Sequence, residues 1–112
     1  MKKTNVSFLD FDKLDLRVGE VKEAMMAEGS EKVIQMKVDF GEDYGIVEIL
    51  SGIAKFYTPE ELIGNKYPFV VNLEPKKIMG KDSKGMVLVA DEPERFFLLA
   101  LDKKLKNGTV IR

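Results

Sequence analysis

The sequence predicts an all-β fold, a five-stranded barrel with one short helix after the third strand. Turn residues interrupt the chain about every ten residues, a spacing typical of short strands. One segment alternates cleanly between apolar and polar side chains, and another carries the capping residues of a short helix. With 112 residues, 45% of them hydrophobic, the chain fits a single domain over residues 1–112 with a substantial core.

The first half of the chain predicts an opening helix and three strands. Ser7 can accept a hydrogen bond at the start of the helix, with Asp10 three residues later. Gly19 marks a bulge or bend in the first strand, and the polar segment 41–45 is a turn. The alternating segment is the second of these strands. The three strands cover residues 16–21, 33–40 and 46–51.

The second half predicts one helix and four further strands. Thr58 can cap the helix, Pro59 suits its first position, and Glu61 completes a capping box. Gly64 can end the helix in a left-handed conformation. Apolar segments follow at residues 67–73, 86–90, 95–101 and 109–111.

The order of these elements is three strands, a helix and two strands, with terminal extensions. This is the layout of the OB-fold, a five-stranded barrel that often binds oligonucleotides. An SH3-like barrel or a small sandwich would match the strand count equally well. The position of the capped helix favours the OB-fold.

The composition excludes several classes of function. Cysteine and histidine are both absent, which removes disulfides, thiolate metal sites, the usual general base and every histidine-dependent nucleophile triad. The sequence also lacks a phosphate-binding loop and a nucleophile–base pair at a supporting spacing. We therefore expect a protein that is not an enzyme, with no cofactor, no metal and no small-molecule substrate.

Charge and hydropathy bear on location and partners. No apolar run approaches the roughly 20 residues that a membrane span needs. Residues 1–5 lack the apolar stretch of a signal peptide, and the absence of cysteine suits a reducing cytosol, so we expect a cytoplasmic protein. The net charge of −1 disfavours a general nucleic-acid binder, but it divides into −4 over residues 1–50 and +3 over residues 51–112. Such asymmetry indicates a basic face, or equally a scatter of solvated charges.

Residues 72–86 are the segment best suited to binding. They contain four lysines against two acids, and two glycines that allow close approach of a ligand. Lysines can neutralise phosphates, while Asn72 and Ser83 supply neutral hydrogen-bonding groups. In an OB-fold the loop between strands four and five flanks the binding face. The composition alone fits a solvated surface loop better, because lysine-bearing loops are common on surfaces.

Residues 14–19, 51–64, 72–80 and 83–90 resemble, in order, the C-terminal domain family of bacterial methionyl-tRNA synthetases. The likeness runs over roughly residues 8–112. Its most specific part is Asn-x-x-Pro-x-Lys at residues 72–77, followed by Ser-x-Gly-Met-x-Leu-x-Ala at residues 83–90. A pattern of this length is far more specific than a lone glycine motif.

The resemblance implies an OB-fold that binds tRNA by its structure, and a homodimer built partly from the terminal extensions. Members of the family occur as synthetase tails, as free-standing tRNA-binding proteins and as domains of multi-synthetase cofactors. A related branch of secretion chaperones usually lacks the Gly-Met pair found here at Gly85-Met86, which places this chain nearer the synthetase branch. The expected partners are tRNA, a second copy of the chain and a methionyl-tRNA synthetase catalytic chain.

By position, the resemblance implies a tRNA-binding site of nine residues. Its core is Asn72, Lys76, Lys77, Ser83 and Met86; Lys81 and Lys84 are expected phosphate contacts, and Ser51 and Lys55 lie on the neighbouring element. A second interpretation of Met86 is that it begins a core strand. The aromatic residues Phe56, Tyr57 and Tyr67 could stack on bases, but such residues more commonly pack in small cores.

The chain departs from the family pattern at Val47-Glu48, where Arg-Gln is common. The change removes a cation and adds an anion near the expected groove. Together with a pI of about 5.6, it predicts weak, salt-sensitive binding to tRNA. The alternative function is a homodimeric, chaperone-like scaffold for protein interactions, in which RNA binding is incidental.

Overall fold

The computed structural model describes residues 1–112 and contains two short helices and ten strands. The elements are α1 (Phe8–Phe11), β1 (Leu16–Met26), β2 (Ile34–Asp39), β3 (Ile46–Ser51), α2 (Pro59–Leu62), β4 (Lys66–Val70), β5 (Lys76–Ile78), β6 (Lys81–Ser83), β7 (Met86–Val87), β8 (Val89–Asp91), β9 (Phe96–Leu98) and β10 (Val110–Ile111).

The main sheet curls around the core in the order β3-β2-β1-β4-β7, and all its neighbouring strands are antiparallel. The long strand β1 pairs with β4 along its first half and with β2 along its second half, while β10 adds to its start. The hairpins β5–β6 and β8–β9 lie outside this sheet. Because α2 follows the third strand, the structure confirms the predicted OB-fold.

The barrel is closed by hydrogen bonds between β3 and the end of the β5–β6 hairpin. The Lys84 amide donates to the carbonyl of Glu48 at 3.1 Å. The Ser83 hydroxyl accepts from the Leu50 amide at 3.0 Å. A side chain thus replaces one bond of a strand ladder at this edge and fixes the hairpin to the barrel.

Gly19 is needed for packing and is not the predicted bulge. A Cβ at this position would lie 2.5 Å from side-chain atoms of Phe40 and Val38, so the sheet can close over the core only with glycine here. The register irregularity of β1 against β2 falls instead between Val21 and Glu23.

Both predicted helix starts are confirmed. Ser7 Oγ accepts a hydrogen bond from the Asp10 amide at 3.0 Å. The carboxylate of Glu61 accepts from the amide and the hydroxyl of Thr58, at 2.9 and 3.0 Å. Gly64 has a φ of +86°, the left-handed conformation expected after α2. Neither helix has the length and apolar character needed to traverse a lipid bilayer.

The predicted strands of the second half are shorter than their apolar segments. Segment 86–90 is divided at Leu88, whose amide still donates to Pro68 on β4, whereas Val89 pairs with Leu98 on β9. The chain therefore changes its partner strand in the middle of one apolar run. Hydrophobicity indicates burial but does not specify the partner, so the sequence predicted one strand where the structure has two.

Candidate nucleic-acid interface

The lysine-rich segment predicted as a loop is largely a β-hairpin, β5–β6. Its two turn residues, Met79 and Gly80, both have positive φ, +52° and +78°, as a type I′ turn requires. Strand alternation places Lys76, Ile78 and Ser83 on the side that faces the barrel, since Ser83 is buried and Ile78 is half-buried. The hairpin thereby orients side chains that a flexible loop would leave free.

A cleft of about 560 Å³ separates the hairpin from the end of β3. Its apolar walls come from Leu50, Leu73, Ile78 and Met86. Its polar groups come from Ser51, Glu74, Lys76 and Ser83. The structure thus brings four of the nine predicted site residues into one concave surface: Ser51, Lys76, Ser83 and Met86.

Ser83 lies in the wall of the cleft, but its hydroxyl is already engaged. It is 4% exposed, accepts from the Leu50 amide, and lies 3.2 Å from the Gly85 carbonyl to which it can donate. Gly85 itself leaves no room for a side chain, because a Cβ would lie 2.9 Å from the Val70 carbonyl oxygen. Ser83 therefore shapes the cleft by bonding to main-chain groups, and Gly85 does so by allowing a neighbouring strand to approach closely.

Met86 presents its side chain to the cleft. In β7 its backbone pairs with Val70 of β4, yet its side chain is 48% exposed and lines the cavity. Met86 thus begins a strand whose next residue, Val87, is buried, as the second interpretation expects, but its own side chain lies outside the core. An exposed thioether at a cleft provides a polarisable, adaptable apolar contact.

The four lysines of the hairpin region differ in their partners. Lys77 pairs across the hairpin with Asp82 at 3.1 Å, on the face that points away from the barrel. The other three, Lys76, Lys81 and Lys84, are exposed and take part in none of the six ion pairs of the structure. These three ammonium groups are the free positive charge of this surface.

A second groove runs beside the hairpin across β1, β2 and β3, with Lys81 at its edge. Glu48 lies in this groove and accepts a hydrogen bond from Gln35 at 3.1 Å. Val47 packs instead against the core. Of the two residues that depart from the family pattern, only Glu48 adds a charge to the groove, and its carboxylate already accepts a hydrogen bond from the Gln35 carboxamide.

Asn72 and Lys55 lie outside the cleft. The Asn72 carboxamide accepts from the Asp15 amide at 2.8 Å and donates to the Lys13 carbonyl at 2.7 Å. These bonds hold the N-terminal segment against the end of β4. The ammonium of Lys55 lies 5.4 Å from the ring centroid of Phe56.

Six residues of the cleft are not among the nine predicted site residues: Leu50, Gly52, Leu73, Glu74, Ile78 and Gly85. Ile78 could have been found from the alternation along β5, but the Met-Gly turn lacks the Asn-Gly or Asp-Gly signature of this hairpin type. Leu73 and Glu74 lie in an irregular segment whose course depends on the tertiary structure. No cluster of three or more histidine, cysteine, aspartate or glutamate side chains is arranged to hold a metal ion.

Residues 16–110 match the family of putative tRNA binding domains. The chain belongs to this family. It is 46% identical over 106 residues to a methionine–tRNA ligase of Caldanaerobacter subterraneus, covering 95% of this chain and 16% of the ligase. It spans less than a fifth of the length of the curated relatives that it matches.

Two solved structures support the assignment. A MetRS-related protein from Pyrococcus horikoshii superimposes with a TM-score of 0.92 at 34% identity, covering 98% of this chain and 100% of that one. The chaperone CsaA from Bacillus anthracis superimposes with a TM-score of 0.86 at 36% identity, covering 97% and 100%. The predicted resemblance to methionyl-tRNA synthetase domains is therefore confirmed, and the fold is shared with the chaperone.

Proposed function

We propose that the chain is a non-catalytic tRNA-binding module, acting as the C-terminal domain of, or a cofactor in trans for, a cytoplasmic methionyl-tRNA synthetase. The observation that carries the proposal is the β5–β6 hairpin, with three unpaired lysines beside an apolar cleft on an OB barrel. OB-folds use this connection and the face of their second and third strands to bind oligonucleotides. The family membership and the synthetase relatives support the same role.

The proposed binding mode combines phosphate contacts with an apolar surface. Lys76, Lys81 and Lys84 neutralise backbone phosphates, and Lys77 joins them when it leaves Asp82. Met86 provides an apolar contact for a base. Bound in this way, the module would raise the local concentration of tRNA near a synthetase active site and needs no chemistry of its own.

The test is a charge reversal at the hairpin, Lys76→Glu with Lys77→Glu. Binding of bulk tRNA is measured by fluorescence anisotropy at two salt concentrations for the wild type and the variant. We expect the wild type to weaken steeply with salt and the variant to lose most of its affinity, because two phosphate contacts become repulsive. The matched control is Lys103→Glu with Lys104→Glu. These two exposed lysines are also consecutive in the sequence, but they lie in the C-terminal segment and not in the hairpin.

Equal losses in both variants would mean that net charge, and not the hairpin, controls binding. An unchanged affinity in the hairpin variant would show that the proposed site is wrong. Absence of tRNA binding by the wild type at low salt would refute the tRNA-binding function itself.

We also propose that the chain is a homodimer that uses its N-terminal extension. The helix α1 carries Phe8 and Leu9, which are 73% and 75% exposed, and Leu14 beyond it is 46% exposed. Apolar side chains this exposed on one short segment need a partner surface. Phe8→Glu with Leu9→Glu should give a monomer in sedimentation equilibrium, while Ile63→Glu, at an exposed apolar residue elsewhere, should not. A variant that stays dimeric would contradict this surface.

The likeness to a chaperone of the same length supports a second candidate, a dimeric scaffold for protein interactions. The hairpin charge reversal separates the two functions. Under the scaffold function, Lys76→Glu with Lys77→Glu leaves partner binding intact, and any tRNA affinity has no consequence for activity. Under the tRNA-binding function, the same variant fails to support aminoacylation in trans.

A further inference from the structure

We propose that the cleft beside the β5–β6 hairpin holds one unstacked nucleotide and that Glu74 selects a base with an exocyclic amino group. The inference rests on the proposed tRNA-binding function and adds a ligand class and a specificity-determining residue to it. It follows from the shape of the cleft, its charges and the one carboxylate there that has no partner.

The cleft suits a nucleotide in size and in the distribution of its groups. Its volume of about 560 Å³ falls within the range of small-ligand sites. Leu73 and Met86 remain 39% and 48% exposed in its walls, which leaves apolar surface available to the faces of a base. Lys76, also in the lining, has no carboxylate partner and can bind the attached phosphate. An apolar wall beside a free cation is complementary to a base linked to an anion.

Glu74 is not expected in a surface that binds only phosphates. A carboxylate repels a polyanion, so its presence in the lining disfavours RNA unless the ligand donates hydrogen bonds to it. The nearby acids are already engaged, since Asp82 pairs with Lys77 and Glu48 accepts from Gln35. Glu74 is exposed and takes part in none of the ion pairs.

The chemistry of an ionised carboxylate determines which base it can bind. It only accepts hydrogen bonds, so it requires an N–H group on the ligand. Cytosine, adenine and guanine carry amino groups, and an acidic side chain that accepts from the cytosine amino group is a known mode of base recognition. Uracil also has an N–H group on this edge, at N3, but it lies between two carbonyl oxygens. One of these oxygens stands where cytosine carries its amino group, and it would repel the carboxylate. Glu74 should therefore favour cytosine over uracil.

The test compares two pyrimidine oligonucleotides that differ chiefly in this group. Oligocytidine and oligouridine heptamers are titrated by anisotropy at low salt and neutral pH. We expect the wild type to bind oligocytidine about fivefold more tightly or better. Glu74→Gln should remove most of this preference, because its amide can also donate to the uracil carbonyl. Glu42→Gln, the same charge change in the turn at 41–45, should keep the wild-type preference.

The outcomes distinguish this inference from the function on which it rests. Equal binding of both oligonucleotides by the wild type would overturn the inference and leave tRNA binding standing. A preference that survives in Glu74→Gln would overturn the role of Glu74. If neither oligonucleotide nor tRNA binds, the proposed function fails and the inference fails with it.

Discussion

Replacing Ser83 by alanine should destabilise the barrel while leaving the RNA contacts in place. The buried hydroxyl accepts the only hydrogen bond of the Leu50 amide at this edge, at 3.0 Å. Alanine keeps the shape of the wall but leaves a buried N–H group without a partner. Leaving such a group unsatisfied costs about 1–3 kcal/mol.

The predicted effect is large enough to measure by thermal unfolding. For a chain of 112 residues the unfolding entropy is roughly 0.24 kcal/mol/K. A loss of about 1–3 kcal/mol then lowers Tm by about 4–13 °C. Circular dichroism of Ser83→Ala and the wild type, followed by urea titration at 25 °C, gives both quantities.

The other serine of the cleft, Ser51, is the matched control: its replacement should affect tRNA affinity and not stability. Ser51 lines the same cleft and is only partly buried, and its hydroxyl satisfies no buried backbone group, so Ser51→Ala should leave Tm nearly unchanged. If its hydroxyl contacts RNA, as the family resemblance implies, the variant loses about two- to tenfold in tRNA affinity. A stable Ser83→Ala protein with weakened tRNA binding would refute this division of roles and return Ser83 to the RNA contacts.

Two further predictions concern the segments that brace β1. Gly108→Ala should lower the free energy of unfolding by about 2–4 kcal/mol, because its Cβ would lie 2.0 Å from a backbone carbonyl oxygen at a φ of +89°. The control Gly45→Ala, at a φ of +67° with open space around it, should lower it by only about 1 kcal/mol. Urea titration measures both values. Partial burial raises the pKa of Asp15, but hydrogen bonds from Arg17 and Tyr44 and the charge of Arg17 outweigh this and hold the pKa below its ordinary range. Its stabilisation is therefore present above the ordinary carboxyl pKa and is lost as pH falls through the lower folded-state value, in the window below about pH 4. Asp15→Asn should accordingly lose less stability than the wild type between pH 7 and pH 3.

The order of strands and helices along the chain, with α2 after the third strand, could be predicted because local signals agree there. The alternation in β2 and the cap formed by Thr58 and Glu61 depend on neighbouring residues in the sequence. The hairpin β5–β6 could not be predicted in the same way, since Met79 occupies a left-handed position that its side chain disfavours. The division of residues 86–90 depends on a change of partner from β4 to β9, and an unbroken apolar run does not show where that change occurs.

Four of the nine predicted site residues line one cleft, and hydrogen bonding divides them into free and committed side chains. Lys76 and Met86 lie in the cleft with free side chains, so their predicted contacts with tRNA remain open to test. Ser83 lies there with its hydroxyl committed to the backbone. Residue type alone cannot make this distinction, because serine suits a phosphate contact and a buried bridge equally well. The sequence did not predict Glu74 as a site residue, because an acidic residue in a basic segment resembles an ordinary solvated charge.

Asn72 allows the sharpest test of whether a motif residue binds RNA or supports the fold. Both ends of its carboxamide are bonded to the N-terminal segment, at Asp15 and Lys13, and it lies outside the cleft. Asn72→Ala should therefore speed hydrogen exchange of the Asp15 amide and lower stability by about 1–2 kcal/mol, since two partly exposed hydrogen bonds are lost.

The same variant should bind oligocytidine with wild-type affinity in the anisotropy assay, because no group in the cleft changes. A large loss of affinity with unchanged exchange at Asp15 would mean that the carboxamide leaves these bonds to contact RNA. The resemblance to tRNA-binding domains would then have placed Asn72 correctly among the RNA contacts. The retained affinity that we expect would instead make Asn72 the residue that positions the N-terminal extension beside the barrel.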